Sequence, residues 1–345
     1  YQGSSQNCVY LIEPHFVYLK LFPNQPLSHN NRDVINPVRA LECGWLLLST
    51  SQISLTNRST SPVRQGTIMS EPTPWVIGAP VAGYHWKATN PKAQLLLQHG
   101  LGEYSKRYVT QYSQLIPKLV AKGFDVYAID LEGHGNTAGI RGLVDVVAAV
   151  EDHLAARAAM PKKLPTFLLG HSLGGIVTSG SIVRDQTNIE AAIISSSAMQ
   201  APSSAALRAL TKVLARITPE APVPVPRPGI EAFTRDQELL KVIAHDPEMF
   251  LGKARNLVGR TTLLLSDEVW SKASGWSVPT LFIHGDKDTS TEFENSVKLH
   301  GAISSKDKTL NVYPGGYHEL LNDTISQEVL TDLLAWLDKR SPVSK

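Results

Sequence analysis

The stretch Pro165-Thr-Phe-Leu-Leu-Gly170-His171-Ser172-Leu173-Gly174-Gly175 decides how the rest of the chain is read. Phe167, Leu168 and Leu169 form a short apolar run suited to a buried strand, and Ile176, Val177, Ile182 and Val183 supply an apolar helix behind it. Between them, Gly-His-Ser-Leu-Gly has the shape of a sharp strand-to-helix turn, in which the glycines permit a backbone that a side chain would obstruct. Such a turn lifts the Ser172 hydroxyl above the sheet and aims the N-terminal amides of the following helix at the same spot. A bare Gly-x-Ser-x-Gly arises by chance in loops, but the flanking strand and helix give this one the context of a nucleophile elbow.

A serine is a poor nucleophile at neutral pH unless a histidine takes its proton and a carboxylate orients that histidine. Both are expected downstream, in the chain order Ser, Asp, His. A second buried-strand pattern, Val278-Pro-Thr-Leu-Phe-Ile-His284-Gly285, runs into Asp286-Lys287-Asp288. Asp288 lies far enough into the loop to turn back toward a histidine, so it is favoured over Asp286, which is placed to cap the turn. A third pattern, Thr309 to Tyr313, leads into Pro314-Gly-Gly-Tyr-His318-Glu319, and His318 there stands in a Gly-rich loop beyond a strand end. Of the other histidines, His171 reads as a packing residue, His284 as buried, and His99 and His134 as braces for loops around the site.

The reaction also needs backbone amides to receive the charge that develops on the substrate oxygen. Leu95-Leu-Leu-Gln-His99-Gly100-Leu101-Gly102-Glu103 ends a first strand in His-Gly-x-Gly. The expected donors are the amide of Leu101 and that of Leu173, the residue directly after the nucleophile.

These blocks, with Asp130-Leu-Glu-Gly-His134-Gly-Asn-Thr137 and Tyr313-Pro-Gly-Gly-Tyr-His318-Glu, resemble the α/β-hydrolases from about residue 80 to 340. Within them the chain is similar to the monoacylglycerol lipases and lysophospholipases. The resemblance implies an α/β fold with a mostly parallel central sheet, helices on both faces and an inserted helical cap. It implies Ser172 as nucleophile, Asp288 as orienter and His318 as base, with Leu101 and Leu173 as the oxyanion hole. It further implies cleavage of monoacylglycerol or a related lysolipid to fatty acid and glycerol through an acyl-enzyme, without metal or organic cofactor. A general carboxylesterase or thioesterase acting on short acyl esters is the alternative. A member that binds ligand without turnover is the alternative from another class.

Residues 1–68 do not follow this pattern. They show no sustained period, hold both cysteines, Cys8 and Cys43, and carry all of the chain's net charge of +2. Met69 is the first methionine. The expectation is an α/β-hydrolase domain over 69–345, preceded by a non-native or disordered extension. The balanced remainder offers no basic patch for nucleic acid, and Gly44 to Leu48 is too short for a membrane span. A cytoplasmic enzyme, at most peripheral to a membrane, is expected.

The strand and helix patterns alternate except over about 199–276, which reads as the cap. Leu207, Leu210, Leu214 and Ile217 recur there at helical spacing, opposite Arg208, Lys212 and Arg216. Prolines from Pro219 to Pro228 follow as a stiff connector, and Met249-Phe250-Leu251 lies beyond. Leu207, Leu210 and Phe250 are expected to touch substrate, with the cap's apolar rim making transient contact with a membrane or micelle.

Overall fold

A computed structural model describes residues 71–225 and 228–342, together with the backbone of two strands, β1 (Cys8–Glu13) and β2 (Phe16–Leu21). These two belong to a separate unit, residues 1–67, and pair antiparallel with Cys8 opposite Leu21 and Glu13 opposite Phe16. The rest of the expected extension, with Cys43 and Met69, lies outside the described residues.

The second unit is built on a sheet of β3 (Thr73–Trp75), β4 (Gly83–Trp86), β5 (Ala93–Gln98), β6 (Phe124–Ile129), β7 (Thr166–His171), β8 (Ala191–Ser195), β9 (Thr280–Gly285) and β10 (Lys308–Tyr313). Their spatial order is β10-β9-β8-β7-β5-β6-β4-β3. The pairs from β10 to β6 are parallel, while β4 pairs antiparallel with β6 and with β3. β5 to β9 are buried along their whole length, as near-continuous apolar runs require when helices cover both faces.

Alternation along the strands splits the core in two. Leu96, Leu168, Ile194 and Phe282 meet buried residues of α3 (Val146–Ala159), α4 (Leu173–Arg184) and α7 (Asn256–Lys272), and Leu299 of α8 (Phe293–Ala302). Leu95, Leu97, Phe167, Leu169, Ile193 and Ile283 meet α2 (Leu115–Ala121) and α9 (Ser326–Asp338) on the other face. Burial of side chains this size stabilises by about 1.5–3 kcal/mol each before the entropy of ordering is subtracted.

Three elements differ from the expectation. The helix that the alternation calls for between β5 and β6 is broken: α1 covers only Arg107–Thr110, and Tyr112, Ser113 and Gln114 all take positive φ before α2 begins. The cause is tertiary, because the Tyr112 amide is drawn to Asn322 Oδ1 and its hydroxyl to Glu103, 2.7 Å away. α8 carries few apolar residues and was not foreseen. Within 199–276, α5 (Ala205–Ile217) and α6 (Gln237–His245) form as helices, but α7 enters the main core through Val258, Leu265 and Val269. Phe233, Ile243 and Met249 make a small core of their own near α6.

Candidate active site

The order of the sheet reverses at β5, whose neighbours are β6 on one side and β7 on the other, so a crevice opens beyond the carboxyl ends of β5 and β7. Ser172 is the single residue between β7 and α4, at φ 53° and ψ −118°. A non-glycine residue held there stores on the order of 1–3 kcal/mol of strain. Its neighbours over-determine the turn: the Ser172 amide donates to Ser195 O at 2.9 Å, and its carbonyl accepts from Gly175 and Ala198. The flanking glycines are needed for close approach, since a Cβ on Gly170 would lie 2.3 Å from Gly174 O and one on Gly174 2.1 Å from Gln98 O.

Two loops bring the remaining groups to this hydroxyl. His318 follows β10 and places Nε2 2.9 Å from Ser172 Oγ, and its Nδ1 lies 2.7 Å from Asp288 Oδ2. The Asp288 side chain is fully buried, and Oδ1 accepts from the amides of Ser290 at 2.7 Å and Thr291 at 3.0 Å. Burial alone would raise its pKa, but the His318 charge and hydrogen bonds from His284 and His318 pull it far below the carboxylate range. Burial would lower His318, yet Asp288, with Glu319 and Glu103 beyond, outweighs it and raises His318 above its ordinary value. Asp286, expected to cap its own turn, instead reaches the neighbouring loop: its Oδ1 accepts from the Gly315 amide at 2.6 Å and ties the two loops together.

The loop after β5 runs against the serine, for a Cβ on Gly100 would meet Ser172 Cβ at 2.9 Å. The Gly100 amide donates to Glu103 Oε1 at 2.6 Å, and that of Gly102 to His134 Nε2 at 3.0 Å. His99 Nε2 accepts from the Leu131 amide at 3.0 Å. Leu101 sits between these fixed points. Its amide and that of Leu173 donate no hydrogen bond among the described residues. His171 packs its ring 4.9 Å from that of His318 and meets Ser195 Oγ at 3.3 Å.

Behind the site lies a buried ionic network that the motifs do not announce. Arg107, 1 % exposed, bridges Glu103 at 3.0 Å and forks onto both oxygens of Glu319 at 2.8 and 2.9 Å. Tyr108 and Tyr112 hydroxyls also donate to Glu103. Burial would raise Glu103, but the rings of His171 and His99, the Arg107 guanidinium and the Gly100 amide together hold it well below the usual range. The network joins the loop carrying Leu101 to the residue after His318. Its only signal in the sequence is charge inside otherwise catalytic-looking blocks.

The cap segment is tied to both loops. His318 and Glu319 amides donate to Ala232 O at 3.4 Å and Phe233 O at 2.8 Å, and Phe250 N donates to Gly102 O at 2.8 Å. The half-buried Phe250 ring lies over Gly142, beside the Arg255 guanidinium. Leu207 and Leu210, by contrast, stand 40 % and 55 % exposed on α5, with Val213 and Ile217 on the same face. Among the described residues, no helix is long and apolar enough to cross a membrane.

Residues 89–325 match the model of the Hydrolase_4 family, described as serine aminopeptidase S33. A monoacylglycerol lipase from Mycolicibacterium smegmatis is 32 % identical over 72 % of this chain and 89 % of its own length. Caffeoylshikimate esterase from Arabidopsis thaliana is 30 % identical over 72 % of this chain and 78 % of its own. The crystal structure of Paleococcus ferrophilus monoacylglycerol lipase superposes with a TM-score of 0.65 at 28 % identity, covering 76 % of this chain and 99 % of that one.

Proposed function

The chain belongs to the Hydrolase_4 family of α/β-hydrolases, and from that footing we propose that it cleaves monoacylglycerol, or a related lysolipid, to fatty acid and glycerol. The observation that carries this reading is the hydrogen-bonded line from Ser172 Oγ through His318 to Asp288, set at the strained elbow. His318 takes the Ser172 proton as Oγ attacks the ester carbonyl. The amides of Leu101 and Leu173 receive the oxyanion, where removing one such donor typically costs about 10²- to 10³-fold in rate. His318 then protonates the departing alcohol, and water, activated by the same ring, releases the acid from Ser172. Asp288 keeps the His318 proton on Nδ1 and stabilises the imidazolium.

The similarity to monoacylglycerol lipases supports the lipid substrate, and so does α5. Its apolar stripe faces solvent while Arg208, Lys212 and Arg216 occupy the opposite side, an arrangement that suits a helix lying in a lipid surface. The identity to caffeoylshikimate esterase favours one second reading, hydrolysis of a soluble ester. Fatty acid release from a long-chain monoacylglycerol, compared with turnover of a short soluble ester, separates the two. Faster turnover of the monoacylglycerol, abolished in Ser172→Ala, is the expected result; activity confined to the short ester would replace the lipase reading with the second.

A further inference from the structure

The carboxylate that orients His318 has a second histidine on it. His284 is the last residue but one of β9, is completely buried, and lies with Nε2 3.1 Å from Asp288 Oδ2, the same oxygen that His318 Nδ1 meets at 2.7 Å. The other ring nitrogen, Nδ1, is 2.8 Å from Ser296 Oγ in the first turn of α8. An unprotonated Nε2 would set a lone pair against the carboxylate, so the contact requires the proton on Nε2. In the neutral ring Nδ1 is then an acceptor, and the Ser296 hydroxyl supplies its hydrogen. Thr291 completes the shell, with Oγ1 2.8 Å from Asp288 Oδ2 and 3.1 Å from Ser196 O.

We propose that His284 is a positioning residue for the ester hydrolysis, holding Asp288 Oδ2 toward His318 from the side of β9, with Ser296 anchoring the ring through Nδ1. This rests on Ser172, His318 and Asp288 acting as described above. The backbone amides of Ser290 and Thr291 anchor Oδ1; because a turn about the Cβ–Cγ bond moves both oxygens together, His284 and Thr291 add a second restraint at Oδ2, the oxygen that faces His318. The ring has a second consequence. Each N–H on Oδ2 draws off negative charge that would otherwise hold the His318 proton, so His284 tempers the basicity that Asp288 confers. The charged or titratable groups that face His318 are Asp288, Glu319, Glu103 and His171.

The test is the full chain carrying His284→Leu, His284→Gln or Ser296→Ala, assayed on one soluble ester as a function of pH. His284→Leu is expected to lower kcat by up to ~10²-fold with KM little changed, the scale of a misplaced catalytic group. Its acid limb in kcat/KM should move to higher pH, because the donor that shared Oδ2 is gone. Gln presents an amide N–H in place of Nε2 and is expected to recover much of the rate and return the limb toward its original position. A merely structural residue would move stability without moving that limb. Wild-type kcat and an unshifted limb in His284→Leu would overturn the proposal. Should that variant fail to fold by circular dichroism, Ser296→Ala decides: lowered kcat with a shifted acid limb upholds the proposal, and an unshifted limb overturns it. Wild-type turnover in Ser172→Ala is a different outcome, which would overturn the triad reading itself.

Discussion

In the proposed reaction the chemistry turns on His318, because a ring already protonated cannot accept the Ser172 proton. Its pKa lies above 6.5, so kcat/KM is expected to fall as pH drops through a midpoint higher than that of a free imidazole. A pH–rate profile on a soluble ester checks this, and a midpoint below 6.5 would contradict it. Asp288→Asn removes the charge that raises the ring and the acceptor that fixes its tautomer. It is expected to cost on the order of 10⁴-fold in kcat and to shift the midpoint down. Ser172, Asp288 and His318 were legible in the sequence for one reason: each stands in a short polar or glycine-rich segment directly beyond an apolar strand. His284 was legible as buried but not as a partner of Asp288. That contact depends on how the loop after β9 folds back, which no residue type in it specifies.

At the scale of elements, the central strands were legible because both faces of the sheet are covered and the runs are largely apolar; the strand expected to end before His99-Gly100 is observed as Ala93–Gln98. The break at Tyr112 to Gln114 was not legible, since it answers to Asn322 and Glu103, 210 and 9 residues away. α8 escaped notice because its buried face is partly polar, with Asn295 donating to Met199 O at 2.9 Å and Ser296 held against His284. α5 was legible from its period, although the period could not tell that its apolar face would look outward. Val213→Glu with Ile217→Glu, two positions 52 % and 72 % exposed, is expected to weaken hydrolysis of monoacylglycerol in vesicles by several-fold while sparing a short soluble ester. Equal loss on both substrates would argue against lipid contact through this helix. Phe250 is in a different position. Its amide is bonded to the loop of Leu101, so that part of the cap braces the site directly.

Over the whole α/β unit, buried titratable groups make stability depend on pH. Burial holds His134 and His171 down to about 4 and His153 to about 3. Below pH 6.5 the unfolded chain therefore binds protons that the folded chain refuses until near pH 4. Stability is expected to fall as pH drops through that window, by up to ~1.4 kcal/mol per pH unit for each ring. His318, with its pKa raised, is protonated in both states there and adds no slope. His153 is the useful probe, because both its ring nitrogens are buried without a hydrogen-bond partner among the described residues. His153→Leu is expected to flatten the fall between pH 6.5 and 4, and to raise stability at pH 5 relative to the unaltered chain. Urea midpoints at pH 7.5, 6 and 5 check this, and parallel curves for the two chains would refute it. The Arg107 network works at the same scale, tying the loop of Leu101 to that of His318 through charges no solvent reaches. Breaking such a buried pair leaves an uncompensated charge and costs about 3–5 kcal/mol. These bonds restrain both loops, as the electrostatic stabilisation in the proposed reaction requires.

The role proposed for Ser172 is tested most directly at the acyl-enzyme. The full chain, mixed with a long-chain monoacylglycerol, quenched in acid within the first turnovers and mapped by peptide mass, should carry one acyl group, on the peptide that contains Ser172. The Ser172→Ala chain should carry none and release no fatty acid. Acylation at another residue, or fatty acid release undiminished in Ser172→Ala, would contradict the assignment of Ser172 as the nucleophile.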